Sequence, residues 1–167
     1  MAQRLIGLTG GIATGKTTVA NYLASTYNLP ILDADIYARQ AVALDSPILE
    51  AITQRYNQKI LLPDGNLNRS KLGQIIISQP KERHWLEGLI HPYVRECFHQ
   101  KISVLSSSTL VLVIPLLFET GITHLTTEIW VVYCSPEQQE KRLIQRNNLT
   151  PEQARARINS QLPINEK

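Results

Sequence analysis

Leu5-Ile6-Gly7-Leu8-Thr9-Gly10-Gly11-Ile12-Ala13-Thr14-Gly15-Lys16-Thr17 is the stretch that decides the fold. Its first half is a short apolar run that stops at two glycines, which reads as a buried strand over 5–9. From Gly10 to Thr17 it fits GxxxxGK(S/T) at every fixed position. Residues 15–26 then read as a helix with Val19, Ala20 and Leu23 on one face. Glycines let the backbone turn back on itself and aim successive N–H groups inward. The helix that follows adds its positive end. Lys16 is placed to reach the β- and γ-phosphates of a nucleotide, and Thr17 to put its hydroxyl on Mg²⁺. A chance match in a glycine-containing loop is the alternative, and the strand-turn-helix setting argues against it.

Outward from this loop, Ile31-Leu32 reads as a second short strand, ended by Asp33. Between 34 and 106 the pattern is mostly helical. Ser46-Pro47 looks like an N-cap with Pro at the first helical position. Pro63-Asp64-Gly65-Asn66 is a turn, and Asn68 can cap a helix through about 77. Gln79-Pro80 and His91-Pro92 punctuate two more helices. After a polar hinge at Ser106-Ser107-Ser108-Thr109, residues 110–114 and 128–134 are continuous apolar runs of the kind found in central parallel strands. Ser135-Pro136-Glu137-Gln138 and Thr150-Pro151-Glu152-Gln153 both match the capping box, so helices are expected over 136–146 and 151–161. Helices between buried strands imply an α/β fold with a parallel sheet and right-handed crossovers. Such sheets bind ligands beyond the carboxyl ends of their strands. That edge carries Thr9-Gly10, Asp33, Pro115 and Ser135.

Composition bounds the rest. The 167 residues suffice for one domain with a core. An apolar content of 43% sets disorder aside. The net charge of +3, from 17 Lys and Arg against 14 Asp and Glu, suits an anionic small molecule as well as a nucleic acid. No block of Lys and Arg marks a dedicated nucleic-acid protein. Cys97 and Cys134 lack the CxxC spacing of a zinc site or disulfide framework and read as buried small apolar residues in a reducing compartment. Met1-Ala2-Gln3-Arg4-Leu5-Ile6 runs straight into a strand, without the features of a signal peptide. No run reaches the ~20 apolar residues of a membrane span. The expectation is a soluble, cytoplasmic protein. His84, His91, His99 and His124 have no metal spacing, and Trp85 and Trp130 read as packing residues.

Two motifs stay open on the residues alone. Asp33-Ala34-Asp35 follows the second strand. Asp33 there can be a general base facing the phosphate site or an N-cap for the next helix. Arg142 and Arg146 lie four apart and share a helix face. They can neutralise a transferring phosphoryl group or form a solvated basic face. Arg155 and Arg157 on the next helix carry the same ambiguity.

Taken together, the motifs resemble the dephospho-coenzyme A kinase family. The resemblance rests on Ile6-Gly7-Leu8-Thr9-Gly10-Gly11-Ile12, Gly15-Lys16-Thr17, and Asp33-Ala34-Asp35 with Arg39. It continues through Leu67-Asn68-Arg69 with Leu72, Ile90-His91-Pro92, Pro115-Leu116-Leu117-Phe118-Glu119, Arg142-Leu143 with Arg146, and Gln161-Leu162-Pro163. It covers essentially the whole chain. It implies transfer of the ATP γ-phosphate to the ribose 3′-hydroxyl of dephospho-coenzyme A, the last step of coenzyme A synthesis. It also implies a three-layer P-loop kinase fold, with a core over 1–35 and 109–140, a helical substrate insert over 36–108 and a helical lid over 141–162.

By the same resemblance Asp33 is the base, with Lys16 and Arg142 as catalytic cations. Gly11, Ile12, Ala13, Thr14, Gly15, Lys16, Thr17 and Thr18 hold ATP, and Thr17 holds Mg²⁺. Thr9, Asp35, Arg39 and His91 meet the acceptor. The implied partners are ATP and dephospho-coenzyme A, with no nucleic acid, membrane or obligate protein partner.

Three departures stand out. Ala13 replaces a frequent Gly at a free loop position, at an expected small cost. Asn68 replaces a common Asp before Arg69. The family pattern continues past Lys167 with a strand and a helix, so a five-stranded sheet would lose a strand and leave an edge exposed. No Asp follows Ile114 to complete a Mg²⁺ shell, which leaves Asp33, Asp35 or water for that role. The rivals are another P-loop small-molecule kinase, such as a nucleoside or nucleotide kinase, and a nucleotide switch. A GTPase-type switch usually carries Asn-Lys-x-Asp, which does not occur here.

Overall fold

β1 (Arg4–Gly10) lies inside a parallel sheet with β2 (Ile31–Asp33), β3 (Thr109–Val113) and β4 (Glu128–Val132), in the order β2-β3-β1-β4. The structure is a computed structural model that describes residues 3–167. Met1 and Ala2, part of the stretch read as lacking a leader, lie outside the described residues. In register, Ile6 faces Val111 of β3 and Glu128 of β4, while Asp33 faces Val113. Ile6, Leu8, Leu110, Val111 and Leu112 have no exposure, as a parallel strand covered on both faces requires. Ile6, Leu8, Val111 and Val113 pack with Ala20 and Leu23 of α1 (Lys16–Tyr27).

β4 corrects one expectation. Its apolar run reads as a central strand, yet it pairs only with β1 and forms an edge among the described strands. Trp130 and Val131 are exposed rather than packed. The Trp130 indole N–H donates to Glu128, and the Arg4 guanidinium lies 5.9 Å from its ring centroid. Cys97 and Cys134 are free and half-buried, not fully buried as expected.

The chain divides into two compact units, one running to Ala34 and resuming over Leu105–Lys167, the other Asp35–Val104. The second is helical. It comprises α2 (Ala34–Gln40) from its second residue, α3 (Pro47–Tyr56), α4 (Arg69–Ser78) and α5 (Pro80–Val104). Ser46 Oγ accepts the Leu49 N–H at 3.1 Å to start α3, and Asn68 Oδ1 accepts the Lys71 N–H at 3.0 Å to start α4. Val42, Leu49, Ile52, Ile60, Leu67, Leu72 and Leu86 form its core. Tyr37 of α2 meets Phe98 of α5 edge to face at 5.3 Å.

α5 is one 25-residue helix with Pro92 inside it, so His91-Pro92 does not break the helix. Proline removes an N–H and orphans the carbonyl four residues earlier. That carbonyl belongs to Gly88, and both Gly88 and Pro92 are exposed, so water can take it. Leu86 on one side and Val94 and Phe98 on the other are buried and anchor the helix on both sides of the gap.

Arg55 of α3 grips Glu82 of α5 with two hydrogen bonds of 2.7 and 2.8 Å, and its guanidinium lies 4.4 Å from the Trp85 ring centroid. The Tyr56 hydroxyl also donates to Glu82. The Arg55 bonds, then the Tyr56 bond, hold the Glu82 carboxyl down to about 2.

In the first unit, α6 (Pro136–Asn147) and α7 (Pro151–Asn159) follow the sheet. Thr150 and Gln153 close the expected capping box, with bonds of 3.3 and 3.0 Å. Ser135 makes only half of one, accepting the Gln138 N–H at 3.3 Å. Arg155 ties α7 to Glu140 of α6. No helix among the described residues is long and apolar enough to cross a membrane.

Candidate functional site: a phosphate loop held by side-chain amides

The loop from Gly10 to Thr17 leaves β1 at its carboxyl end and enters α1. At Gly10 φ is 144°, and a Cβ there would lie 2.3 Å from the Val132 carbonyl oxygen, so only glycine fits. Ala13 sits at φ 59°, in the left-handed region. The sequence treats it as a free position; its backbone carries a strain of roughly 1–2 kcal/mol that glycine would avoid. Thr14 is buried, and its hydroxyl donates to the Gly11 carbonyl at 2.9 Å. The first turn of α1 holds no acidic residue, so its positive end is not neutralised from within. Thr17 and Thr18 are exposed on that turn.

Two cations rest on the loop's own carbonyls. Lys16 Nζ donates to Gly10 and Gly11 at 2.9 and 2.7 Å. Arg142 Nη1, from α6, donates to Thr14 at 3.3 Å. Arg146, one turn further, instead donates to Asn147 at 2.9 Å. The two arginines share a face in sequence, but Arg142 bonds to the loop while Arg146 bonds to its own helix terminus.

Three other side chains fasten this region, and the sequence assigned none of them a role. Gln139 Nε2 of α6 donates to the Ile12 carbonyl at 2.7 Å. Gln161 Oε1, just beyond α7, accepts the Ile12 N–H at 2.7 Å. Glu119 accepts the Leu162 N–H at 3.3 Å and pairs with Lys167 at 2.8 Å. Burial raises the Glu119 carboxyl, but its hydrogen bonds, led by Lys167, bring it below the ordinary value. Lys167 also reaches the Pro115 carbonyl, which accepts the Thr9 hydroxyl at 3.2 Å. Thr9 is fully buried, so its hydroxyl would have to leave Pro115 to meet an acceptor. The available signals were Pro115-Leu116-Leu117-Phe118-Glu119 and Gln161-Leu162-Pro163, which carried resemblance but no chemistry.

Asp33 closes β2, and Asp35 and Arg39 lie on α2. Within the helical unit, Asp35 and Arg39 line a cavity of about 360 Å³ with Arg69, Leu67, Ile76 and Leu86. Arg69 donates to the Arg39 carbonyl at 3.3 Å. His91 is half-buried on α5 and does not line this cavity. The described residues hold no group of three or more metal-ligating side chains. A single hydroxyl such as Thr17, with phosphate oxygens and water, is a donor set that suits Mg²⁺, which sheds its waters reluctantly.

Comparisons with known proteins agree with this architecture. The family model for dephospho-CoA kinase matches residues 4–167. A dephospho-CoA kinase of Trichormus variabilis is 68% identical over all of this chain and 85% of its own length. A crystal structure from Thermus thermophilus, 31% identical, superposes with a TM-score of 0.85 over 99% of this chain and 84% of its own. A dephospho-CoA kinase from Campylobacter jejuni, 30% identical, does so at 0.68 over 97% and 82%.

Proposed function

This chain belongs to the dephospho-CoA kinase family, and from that premise we propose that its residues move the γ-phosphate of ATP to the ribose 3′-hydroxyl of dephospho-CoA. The observation that carries the mechanism is the resting place of two cations. Lys16 and Arg142 sit on loop carbonyls at Gly10, Gly11 and Thr14. Both exchange those partners for phosphate oxygens when nucleotide enters. Backbone N–H groups of the loop and of the α1 terminus hold the β-phosphate. Lys16 and Arg142 then balance the charge that spreads over the transferring group.

Asp33 accepts the proton of the attacking hydroxyl. The new bond joins the acceptor oxygen to the γ-phosphorus, the bond to the β–γ bridging oxygen breaks, and ADP leaves. Asp35 and Arg39 bind the acceptor, with His91 as a further contact. Thr17 would hold Mg²⁺ together with nucleotide oxygens. That ion supplies further neutralisation of the phosphates when bound. The stretch 141–162 acts as a lid and 36–108 as the acceptor-binding part. The two free cysteines suit a reducing compartment, and a cytoplasmic location belongs to this reading.

The direct test couples ADP release to an optical signal, with and without dephospho-CoA. Acceptor-dependent ADP formation is expected. The same rate in its absence would reject the transfer reading in favour of a hydrolase or switch.

A further inference from the structure

In the phosphate loop, the Ile12 residue has its N–H and its C=O both bonded to side chains, from the stretch after α7 and from α6 respectively. A loop in this conformation has no ladder or helix to satisfy its polar groups, so an orphaned one must find a partner. Here the partners are neutral amides of opposite sense: Gln161 accepts and Gln139 donates, each at 2.7 Å. The fit is close. A Cβ on Gly11 would lie 2.6 Å from Gln139 Nε2, so the side chain covers the glycine directly.

Neither glutamine is loosely placed. Gln139 is half-buried on the second turn of α6, and its own N–H donates to the Ser135 carbonyl at 2.9 Å. Gln161 is half-buried, and its neighbour Leu162 is fixed by Glu119, which Lys167 engages in turn. On the same loop, Arg142 of α6 holds Thr14.

We infer that Gln139 and Gln161 are positioning residues that set the orientation of the two peptide planes flanking Ile12, and through them couple the α6–α7 segment to nucleotide affinity. The inference rests on the reading of this loop as the ATP site. The two amides hold the successive peptide planes on either side of the Ile12 Cα, Gly11–Ile12 by its N–H and Ile12–Ala13 by its carbonyl. Rotation of the second plane would re-aim the Ala13 N–H, which lies in it together with the Ile12 carbonyl. Displacement of α6 and α7 withdraws both partners together, so occupation of the loop and placement of these helices must favour or oppose each other reciprocally. A neutral pair suits this task. A carboxylate at either position would repel a triphosphate, and a Lys or Arg would compete with Lys16 for it.

The test uses Gln161→Met and Gln139→Met, which keep length and remove the hydrogen bond, together with the double variant. Binding of a non-hydrolysable ATP analogue is measured by calorimetry, alongside KM for each substrate and the melting temperature. Each single variant should weaken nucleotide binding by roughly five- to tenfold, the worth of one hydrogen bond. KM for the acceptor should stay unchanged. The double variant should lose less than the product of the singles, because both act on the backbone of one residue. The Ile12 amide resonance and its exchange rate should change in Gln161→Met without nucleotide.

Analogue affinity within twofold of the parent in both single variants would overturn the coupling. So would equal weakening of both substrates with a collapsed melting temperature, which marks a merely structural role. If neither parent nor variants bind the analogue, the ATP-site reading fails first, and that outcome is distinct from either.

Discussion

The two units of this protein place their investment differently. In the sheet unit the groups of interest are backbone atoms: loop amides, and carbonyls at Gly10, Gly11, Ile12 and Thr14 that take Lys16, Gln139 and Arg142. Side chains serve there to hold the main chain. In the helical unit the groups of interest are side chains, packed around Ile52 and Phe98 or clasped as Arg55, Glu82, Tyr56 and Trp85. The contrast teaches where damage should appear. Changes near the loop should alter turnover more than stability, and changes in the helical unit's core and its Arg55–Glu82 clasp should do the reverse.

The largest expected effect tests the first half of that contrast. Asp33→Asn keeps size and hydrogen bonding but cannot take a proton, so turnover should fall by about 10²–10⁴. Analogue affinity and melting temperature should hold. If turnover stays within a few-fold of the parent, Asp33 is a helix cap, which Asn performs nearly as well. Lys16→Ala should cost on the order of 10²–10³ in turnover with the fold intact. Near-normal turnover would contradict the phosphate-loop assignment.

Phe98→Ala probes the other half. Phe98 has no exposure, and a buried Phe→Ala change costs about 3–5 kcal/mol. A chemical denaturation midpoint should drop sharply, while the remaining folded fraction keeps its KM for ATP. A raised KM for ATP would blur the division between the units.

A smaller effect lies in acid. Glu82 is held at about 2 against an ordinary 4.5. The folded value is depressed, so the stability it contributes is present above pH 4.5 and lost as pH falls from there toward 2. Glu82→Gln should flatten the fall of melting temperature across that window, modestly, because the pair is solvent-screened. An unchanged acid slope would remove the clasp from the account. The smallest change is Ala13→Gly, which relieves the left-handed backbone at φ 59°. Relief and the entropy of glycine oppose each other, leaving a gain of at most about 1 kcal/mol.

Most of the fold was legible because its signals are local. A strand, a glycine loop and a helix follow one another within about two dozen residues, and Ser46, Asn68 and Thr150 announce their helices by type and position. The failures are non-local. Whether the run at 128–132 is central or at an edge depends on which strands pair with it, and Trp130 looks the same in either place. His91-Pro92 reads as a break because exposure of the Gly88 carbonyl cannot be seen from sequence. Gln139 and Gln161 meet Ile12 across 127 and 149 residues, and glutamine gives no pattern that marks such a partner. The cavity beside Arg39 and Arg69 is hidden for the same reason.

The resting position of Lys16 has a consequence for the end of each catalytic cycle. Its ammonium has the Gly10 and Gly11 carbonyls at 2.9 and 2.7 Å to return to. On the proposed role of Lys16 as a phosphate ligand, the cation need not wait for water to replace the phosphates when ADP departs. The loop would supply its own substitute solvation, which stabilises the empty site and so weighs against clinging to spent nucleotide.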